Sequence, residues 1–182
     1  MHIRAVSYIL CVTVGESGGK WGAGKSRRSG VKGEVEQMFL GQYQHAIDNK
    51  GRLTIPSRFR ELLAADGAFV LQGFDRKLIV LPGPAFERVS DRVNSLSITD
   101  ARARLLRRQI FSTAEKVEAD RTGRILIPEF LRQAAHLETD AFIVGAGNYF
   151  EIWSPALWGK QVANLQDDDS NGSRFDLLEI SI

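Results

Sequence analysis

Asp48-Asn49-Lys50-Gly51-Arg52-Leu53-Thr54-Ile55-Pro56 recurs seventy-two residues later as Asp120-Arg121-Thr122-Gly123-Arg124-Ile125-Leu126-Ile127-Pro128. Without a gap, the same offset lays Phe39 on Phe111 and Arg60 on Arg132. It also lays Phe69-Val-Leu-Gln-Gly73 on Ala141-Phe-Ile-Val-Gly145 and Leu78-Ile-Val80 on Phe150-Glu-Ile152. Two copies of one supersecondary unit therefore follow one another in the chain.

Each copy is legible in physical terms. Asp in the first position and Gly in the fourth suit a tight turn between strands, with Gly51 and Gly123 supplying the unusual dihedrals. Leu53-Thr-Ile55 and Ile125-Leu-Ile127 are short β-prone segments. Pro56 and Pro128 stop them and sit well in the first turn of a helix, so a helix is expected directly after each. Phe59, Leu62 and Leu63 in the first copy, and Phe130, Leu131, Ala134 and Leu137 in the second, give the three-to-four spacing of a buried face. Ala68 to Gln72 with Leu78 to Leu81, and Ala141 to Val144 with Tyr149 to Trp153, read as hairpins around Gly73-Phe-Asp-Arg76 and Gly145-Ala-Gly-Asn148.

Two helical stretches lie between the copies. One spans 84–96 with Phe86, Val89, Val93 and Leu96 inward, and one spans 100–111 after the cap candidate Thr99. The second is rich in arginine, with Arg102, Arg104, Arg107 and Arg108 forming either a solvated face or a phosphate-contacting one.

The composition bounds what this repeat can do. The chain has 182 residues, 43% hydrophobic and 25% charged, close to the average of soluble globular chains and far from disordered or fibrous ones. A single cysteine, Cys11, can close no internal disulfide and leaves no thiolate partner for a structural zinc site, which points to a reducing, cytoplasmic home. His2, His45 and His136 are scattered, so neither a metal cluster nor a histidine-based triad is grouped. No cofactor and no enzymatic activity are expected. Residues 1–37 carry six basic against three acidic side chains, and the rest of the chain 18 basic against 19 acidic. Bulk charge alone announces no nucleic-acid binder, and any such function must rest on local patches.

The first 37 residues hold two motifs that their context does not support. Met1 to Val14 imitates the start of a secretory signal, but no small-residue cleavage site follows and the apolar run is too short to span a bilayer. Gly19-Lys-Trp-Gly-Ala-Gly24-Lys25-Ser26 has the spacing of a phosphate-binding loop, which would make the chain a nucleotide hydrolase. The segment after it, Ser26 to Gly33, has two glycines and no apolar stripe, so it lacks the helix that would aim a positive end at phosphates. Gly, Ser and Lys enrichment suits a disordered extension. Met38 opens the patterned part of the chain, and translation starting there is the further expectation.

Each repeated turn sets an arginine directly after a glycine, and the first adds Lys50. Two outcomes follow from these residue types. The arginine pairs with the neighbouring Asp48 or Asp120 as a surface ion pair. Alternatively, Lys50 and Arg52 enter a DNA groove or grip phosphates, since the guanidinium forks onto guanine or phosphate oxygens. One basic tip is too little for tight binding, whereas several tips on an oligomer add through effective concentration.

These two D-x-x-G-R-(apolar)-x-(apolar)-P units, with Met38-Phe-Leu-Gly-Gln-Tyr43 before them and Phe150-Glu-Ile-Trp153 late, resemble the MraZ family of bacterial transcriptional regulators, over Met38 to about Val162. The resemblance implies an α+β fold of two repeated AbrB-like (SpoVT-AbrB) swapped-hairpin β-barrel halves in one chain, with connecting helices. On this basis residues 38–84 form the first repeat, 85–112 a helical connector, 113–157 the second repeat and 158–182 a C-terminal tail. It further implies a cytoplasmic, nucleoid-associated, non-enzymatic protein assembled into a ring-like homo-oligomer, an octamer or dodecamer, with neither a membrane nor a small-molecule substrate as partner. Such a protein would bind short direct repeats in double-stranded promoter DNA upstream of the division and cell-wall gene cluster and repress it, its own gene included.

The family's basic turn falls on Asp48, Lys50, Gly51 and Arg52. Lys50 and Arg52, with Asn49 and Gly51, are therefore the expected DNA-contacting set. The second turn departs from the pattern at Thr122, which leaves Arg124 and Arg121 a secondary or structural part, while Asp48, Asp120, Gly123, Pro56 and Pro128 shape the turns. A protein-interaction or antitoxin-like use of the same fold is the alternative.

Overall fold

The computed structural model describes residues 38–63 and 67–166. The expectations placed on residues 1–37, including the Gly19 to Ser26 loop and the Met38 start, lie outside the described residues, as do those on residues 167–182.

Among the described residues, eight strands and five helices follow the repeat. In the first half these are β1 (Gln42–Ala46), β2 (Arg52–Thr54), α1 (Ser57–Leu63), β3 (Ala68–Gln72) and β4 (Leu78–Pro82). Helices α2 (Gly83–Ser95) and α3 (Ala101–Thr113) connect it to the second, which contains β5 (Glu115–Val117), β6 (Arg124–Leu126), α4 (Glu129–Ala134), β7 (Asp140–Gly145), β8 (Phe150–Trp153) and α5 (Pro155–Leu165). Pro56 and Pro128 end their strands, and α1 and α4 begin within one residue of them, because proline has no N–H for a ladder yet suits the start of a helix.

The strands form an antiparallel six-stranded sheet in the order β1-β7-β8-β4-β3-β5 and a separate two-stranded ribbon, β2-β6. The ladders thus run as an open sheet and a ribbon rather than one closed barrel. The first strand of each half is exchanged, since β1 pairs with β7 of the second half and β5 pairs with β3 of the first. The halves also meet at two ladders, β2-β6 and β4-β8. At the centre of each, the directly opposed residues are seventy-two apart: Leu53 with Ile125, and Ile79 with Glu151. A pseudo-two-fold relating the halves therefore passes through both pairs, and neither half can complete its sheet without the other.

The main core lies between the sheet and the ribbon. Leu53, Ile55, Ile125 and Ile127 project into it from the ribbon, and Phe59 and Leu131 from the helices that follow. Phe39, Phe59 and Phe150 pack at centroid separations of 5.0 to 5.3 Å, in the edge and tilted arrangements that aromatic pairs favour. A second, smaller cluster joins α2 to β3 and β4 through Leu71, Leu81 and Ala85, with Phe69 stacked on Phe86 at 4.1 Å.

Gly145 is where the chain entering β1 crosses β7. A Cβ built there would lie 2.6 Å from the Leu40 nitrogen and closer still to the Phe39 carbonyl. Neither is a side-chain tip that could move aside. Gly145→Val is therefore expected to lower the unfolding free energy by about 1–3 kcal/mol or more, the range for overpacking, visible as a reduced urea midpoint with an unchanged slope.

Several expectations about buried faces are corrected. Phe130 is 45% exposed, and it is Ala135 rather than Ala134 that is fully buried. The repeat explains both, because Leu131 and Ala135 stand seventy-two residues after the buried Phe59 and Leu63. Leu96 is exposed, since α2 ends at Ser95 and Leu96 already has extended dihedrals. The cap of α3 is Asp100, whose side chain accepts from the Arg102 N–H, rather than Thr99.

The arginines of α3 divide. Arg102 projects into solvent. Arg107 donates to the carbonyls of Val93, Asn94 and Leu96 at the end of α2, and Arg104 to those of Ile98 and Thr99. These two arginines satisfy orphan carbonyls at and beyond a helix C-terminus, where a cation is also favoured by the helix dipole.

Candidate nucleic-acid interface

Both repeated turns are built in the same way. The Gly51 N–H bonds the Asp48 carbonyl at 2.9 Å and the Gly123 N–H the Asp120 carbonyl at 2.8 Å, with φ of +79° and +78° at the two glycines. The aspartate side chains do the rest. Oδ1 of Asp48 accepts the N–H groups of Lys50 and Arg52, each at 2.9 Å, and Oδ1 of Asp120 accepts those of Thr122 and Arg124 at 2.9 and 3.0 Å. This is the reason for aspartate at this position, since a short carboxylate can bond backbone groups two residues ahead.

The second carboxylate oxygens receive the arginines. Arg52 Nε donates to Asp48 Oδ2 at 2.9 Å. Arg124 donates through Nε and Nη2 to Asp120 Oδ2, at 3.0 and 2.8 Å, and through Nη1 to Asp48 Oδ2 at 3.3 Å. The ion pairs expected from the residue types are therefore formed in both turns, unequally. Arg124 spans both carboxylates with all three of its nitrogens. Arg52 spends one, and its two terminal Nη groups have no partner among the described residues. Lys50 and Arg121 are exposed at the turn tips.

Each turn is completed by one cation that the motif alone does not single out. Arg132 on α4 lies over Gly51, with its Nε 2.8 Å from where a Cβ would sit, and Arg60 on α1 lies over Gly123, with its Cδ and Cζ at 2.6 Å. Each half thus leans an arginine on the other half's turn, and any side chain at either glycine would displace it. Lys50, Arg52 and Arg132 gather at the first turn, and Arg121, Arg124 and Arg60 at the second. The alignment of Arg60 with Arg132 in the repeat is the signal for this pair, although their crossing between halves is a tertiary fact.

The hydrogen bonds lower both carboxyl pKa values. For Asp48 the Arg52 backbone N–H is the main cause. For Asp120, held well below the carboxylate range, the Thr122 hydroxyl leads, followed by the Arg124 side chain. A carboxyl that ionises more readily when folded stabilises the fold above its ordinary value of 3.8, and that stability is lost as pH falls through the depressed value. Asp120→Asn is accordingly expected to flatten the acid limb of the stability profile, measured as urea midpoints between about pH 6 and pH 2.

Among the described residues, no three or more His, Cys, Asp and Glu side chains are grouped to hold a metal ion, and no helix is long and apolar enough to cross a membrane.

The model of the family described as "MraZ protein, putative antitoxin-like" matches residues 38–109 and again residues 110–176. The chain belongs to the MraZ family. Similarity extends to individual MraZ proteins, each named "Transcriptional regulator MraZ". That of Thermomicrobium roseum is 49% identical over 128 residues, covering 70% of this chain and 89% of its own length. Those of Roseiflexus castenholzii, 45% identical over 138 residues, and Heliobacterium modesticaldum, 48% identical over 124, cover 76% and 68% of this chain and 94% and 85% of their own lengths. Transcriptional regulation is thus the functional class of the MraZ proteins to which this chain belongs, and its tandem repeats are two MraZ repeats.

Proposed function

We propose that this MraZ chain is a sequence-specific DNA-binding repressor that acts as a ring-like homo-oligomer. It would occupy short direct repeats in the promoter of the division and cell-wall gene cluster, its own gene included, and so block transcription. The observation that carries this reading is the unequal wiring of the two turns. Arg52 presents an uncommitted guanidinium fork beside the exposed Lys50 on a rigid turn, the form in which arginine engages guanine edges or phosphate oxygens. Arg124, tied to Asp48 and Asp120, holds the two turns together. Asn49, exposed at the turn tip, belongs to the same contact surface; Gly51, buried beneath Arg132, shapes the turn instead of touching DNA, and Arg121 is a secondary phosphate contact.

A single turn makes few phosphate contacts, so useful affinity comes from several copies of the turn meeting successive repeats. The reading is tested with the full-length chain by fluorescence anisotropy on a duplex from just upstream of its own gene and on a scrambled duplex of equal length. Binding that favours the upstream duplex, and weakens steeply with salt, is the expected result. Equal affinity for both duplexes removes the promoter-specific claim, and co-purification of a protein partner in its place would support the antitoxin-like use of the fold.

A further inference from the structure

The outward face of the β2-β6 ribbon carries four side chains. Arg52 lies directly opposite Leu126, and Thr54 directly opposite Arg124, while Leu53 and Ile125 between them point into the core. Around this face the repeat is kept wherever a residue builds a turn or fills the core, as at Asp48/Asp120, Gly51/Gly123, Arg52/Arg124, Ile55/Ile127 and Pro56/Pro128. It changes in chemical character at Asn49/Arg121, Lys50/Thr122 and Thr54/Leu126.

That pattern has a physical consequence. A two-fold face presents the same groups when turned end for end, so it cannot give a DNA element a direction. A direct repeat has a direction, and rotation-related copies of one chain must each meet their element in the same sense. Only groups that break the pseudo-two-fold can supply it: the free fork of Arg52 against the committed one of Arg124, and the side chains whose type changes between the halves. Two of the three broken pairs exchange a cation between adjacent tip positions, leaving one extra cation on each turn, and phosphate contacts made by such tips carry no base information. The third pair places Leu126, 54% exposed, opposite Arg52, where its counterpart Thr54 stands opposite Arg124.

A two-stranded ribbon fits the major groove, where thymine offers a C5-methyl group to apolar side chains. We propose that Leu126 reads a thymine methyl in the major groove and, with the open fork of Arg52, fixes the direction in which the ribbon binds its element. The inference rests on the DNA-binding reading above and adds to it the residue that determines specificity.

The test compares the upstream duplex with the same duplex carrying uracil in place of thymine, again with the full-length chain. Wild type is expected to lose about fourfold in affinity per contacted methyl, the worth of one buried methyl-sized group. Leu126→Ala should bind the thymine duplex about as weakly as wild type binds the uracil one and should not distinguish the two. Arg52→Ala should bind both more weakly and keep the uracil penalty. Because Leu126 is exposed, an unchanged melting temperature serves as the check on folding. A full uracil penalty in Leu126→Ala overturns the proposal, as does a wild type indifferent to uracil that still prefers upstream to scrambled DNA. A wild type that fails to prefer upstream DNA overturns both this proposal and the regulator reading.

Discussion

Arg52→Ala is expected to weaken binding to the upstream duplex by about 1–3 kcal/mol for each engaged turn, which is roughly five- to 150-fold. The magnitude follows from what the side chain has to offer. Its Nε is committed to Asp48, which fixes the direction of the guanidinium, and the two terminal nitrogens remain for a bidentate contact. The loss multiplies with the number of turns engaged at once, so an oligomer should show a larger deficit on several repeats than on one. Arg124→Ala should behave differently. Removing it leaves Asp120 without its arginine and Asp48 with only Arg52, so a lower melting temperature should accompany any loss of affinity. Gel-shift titrations on one- and four-repeat duplexes, beside thermal melts of both variants, separate the two roles.

The second large effect is expected in the core. Phe59→Ala should cost about 3–5 kcal/mol of unfolding free energy, the range for truncating a fully buried phenylalanine. Phe59 lies on α1, directly after the first turn, and its ring meets Phe39, Tyr43 and Phe150 at 5.0, 5.4 and 5.3 Å. Phe150 comes from the second half, so the cavity would open where the halves join, and little around it could collapse to fill the space. Against the stability of about 5–15 kcal/mol usual for a domain, this is enough to bring the protein near its threshold. Urea denaturation followed by tryptophan fluorescence measures it. Truncation of Phe130, seventy-two residues after Arg58 and 45% exposed, should cost far less than that of Phe59.

Much of this architecture is written in local chemistry. Aspartate, glycine and proline at fixed spacing announce the two turns because each meets a need within a few residues: a side-chain acceptor, a positive φ, a missing N–H. The hairpins β3-β4 and β7-β8 are equally local. What lies beyond reach is tertiary. No pattern within β1 or β5 says that each pairs with the other half's sheet, and the crossing of Arg60 and Arg132 follows from that exchange. The α4 face misled because six residues are too few to establish a helical phase, so Phe130 looked as suitable as Leu131; the seventy-two-residue offset carries the phase instead. Arg104 and Arg107 could not be told from a solvated face because the carbonyls they cap become neighbours only when α2 and α3 pack together.

The same limit applies to the interface. The basic tips were legible at Lys50, Arg52, Arg121 and Arg124, and the competition between ion pairing and an open fork was foreseeable. Which arginine is consumed by it was not, because that depends on Arg124 reaching across the ribbon to Asp48.

Contact between the first turn and DNA phosphates is read from the salt dependence of binding for full-length wild type, Lys50→Ala and Lys160→Ala, an exposed lysine on α5. A lysine that neutralises a phosphate contributes about 0.9 to the slope of log affinity against log salt on duplex DNA. Lys50→Ala should lower the slope by about that amount for each engaged turn, while Lys160→Ala should leave it unchanged. A Lys50→Ala slope equal to that of wild type, or a loss confined to Lys160→Ala, would contradict that contact.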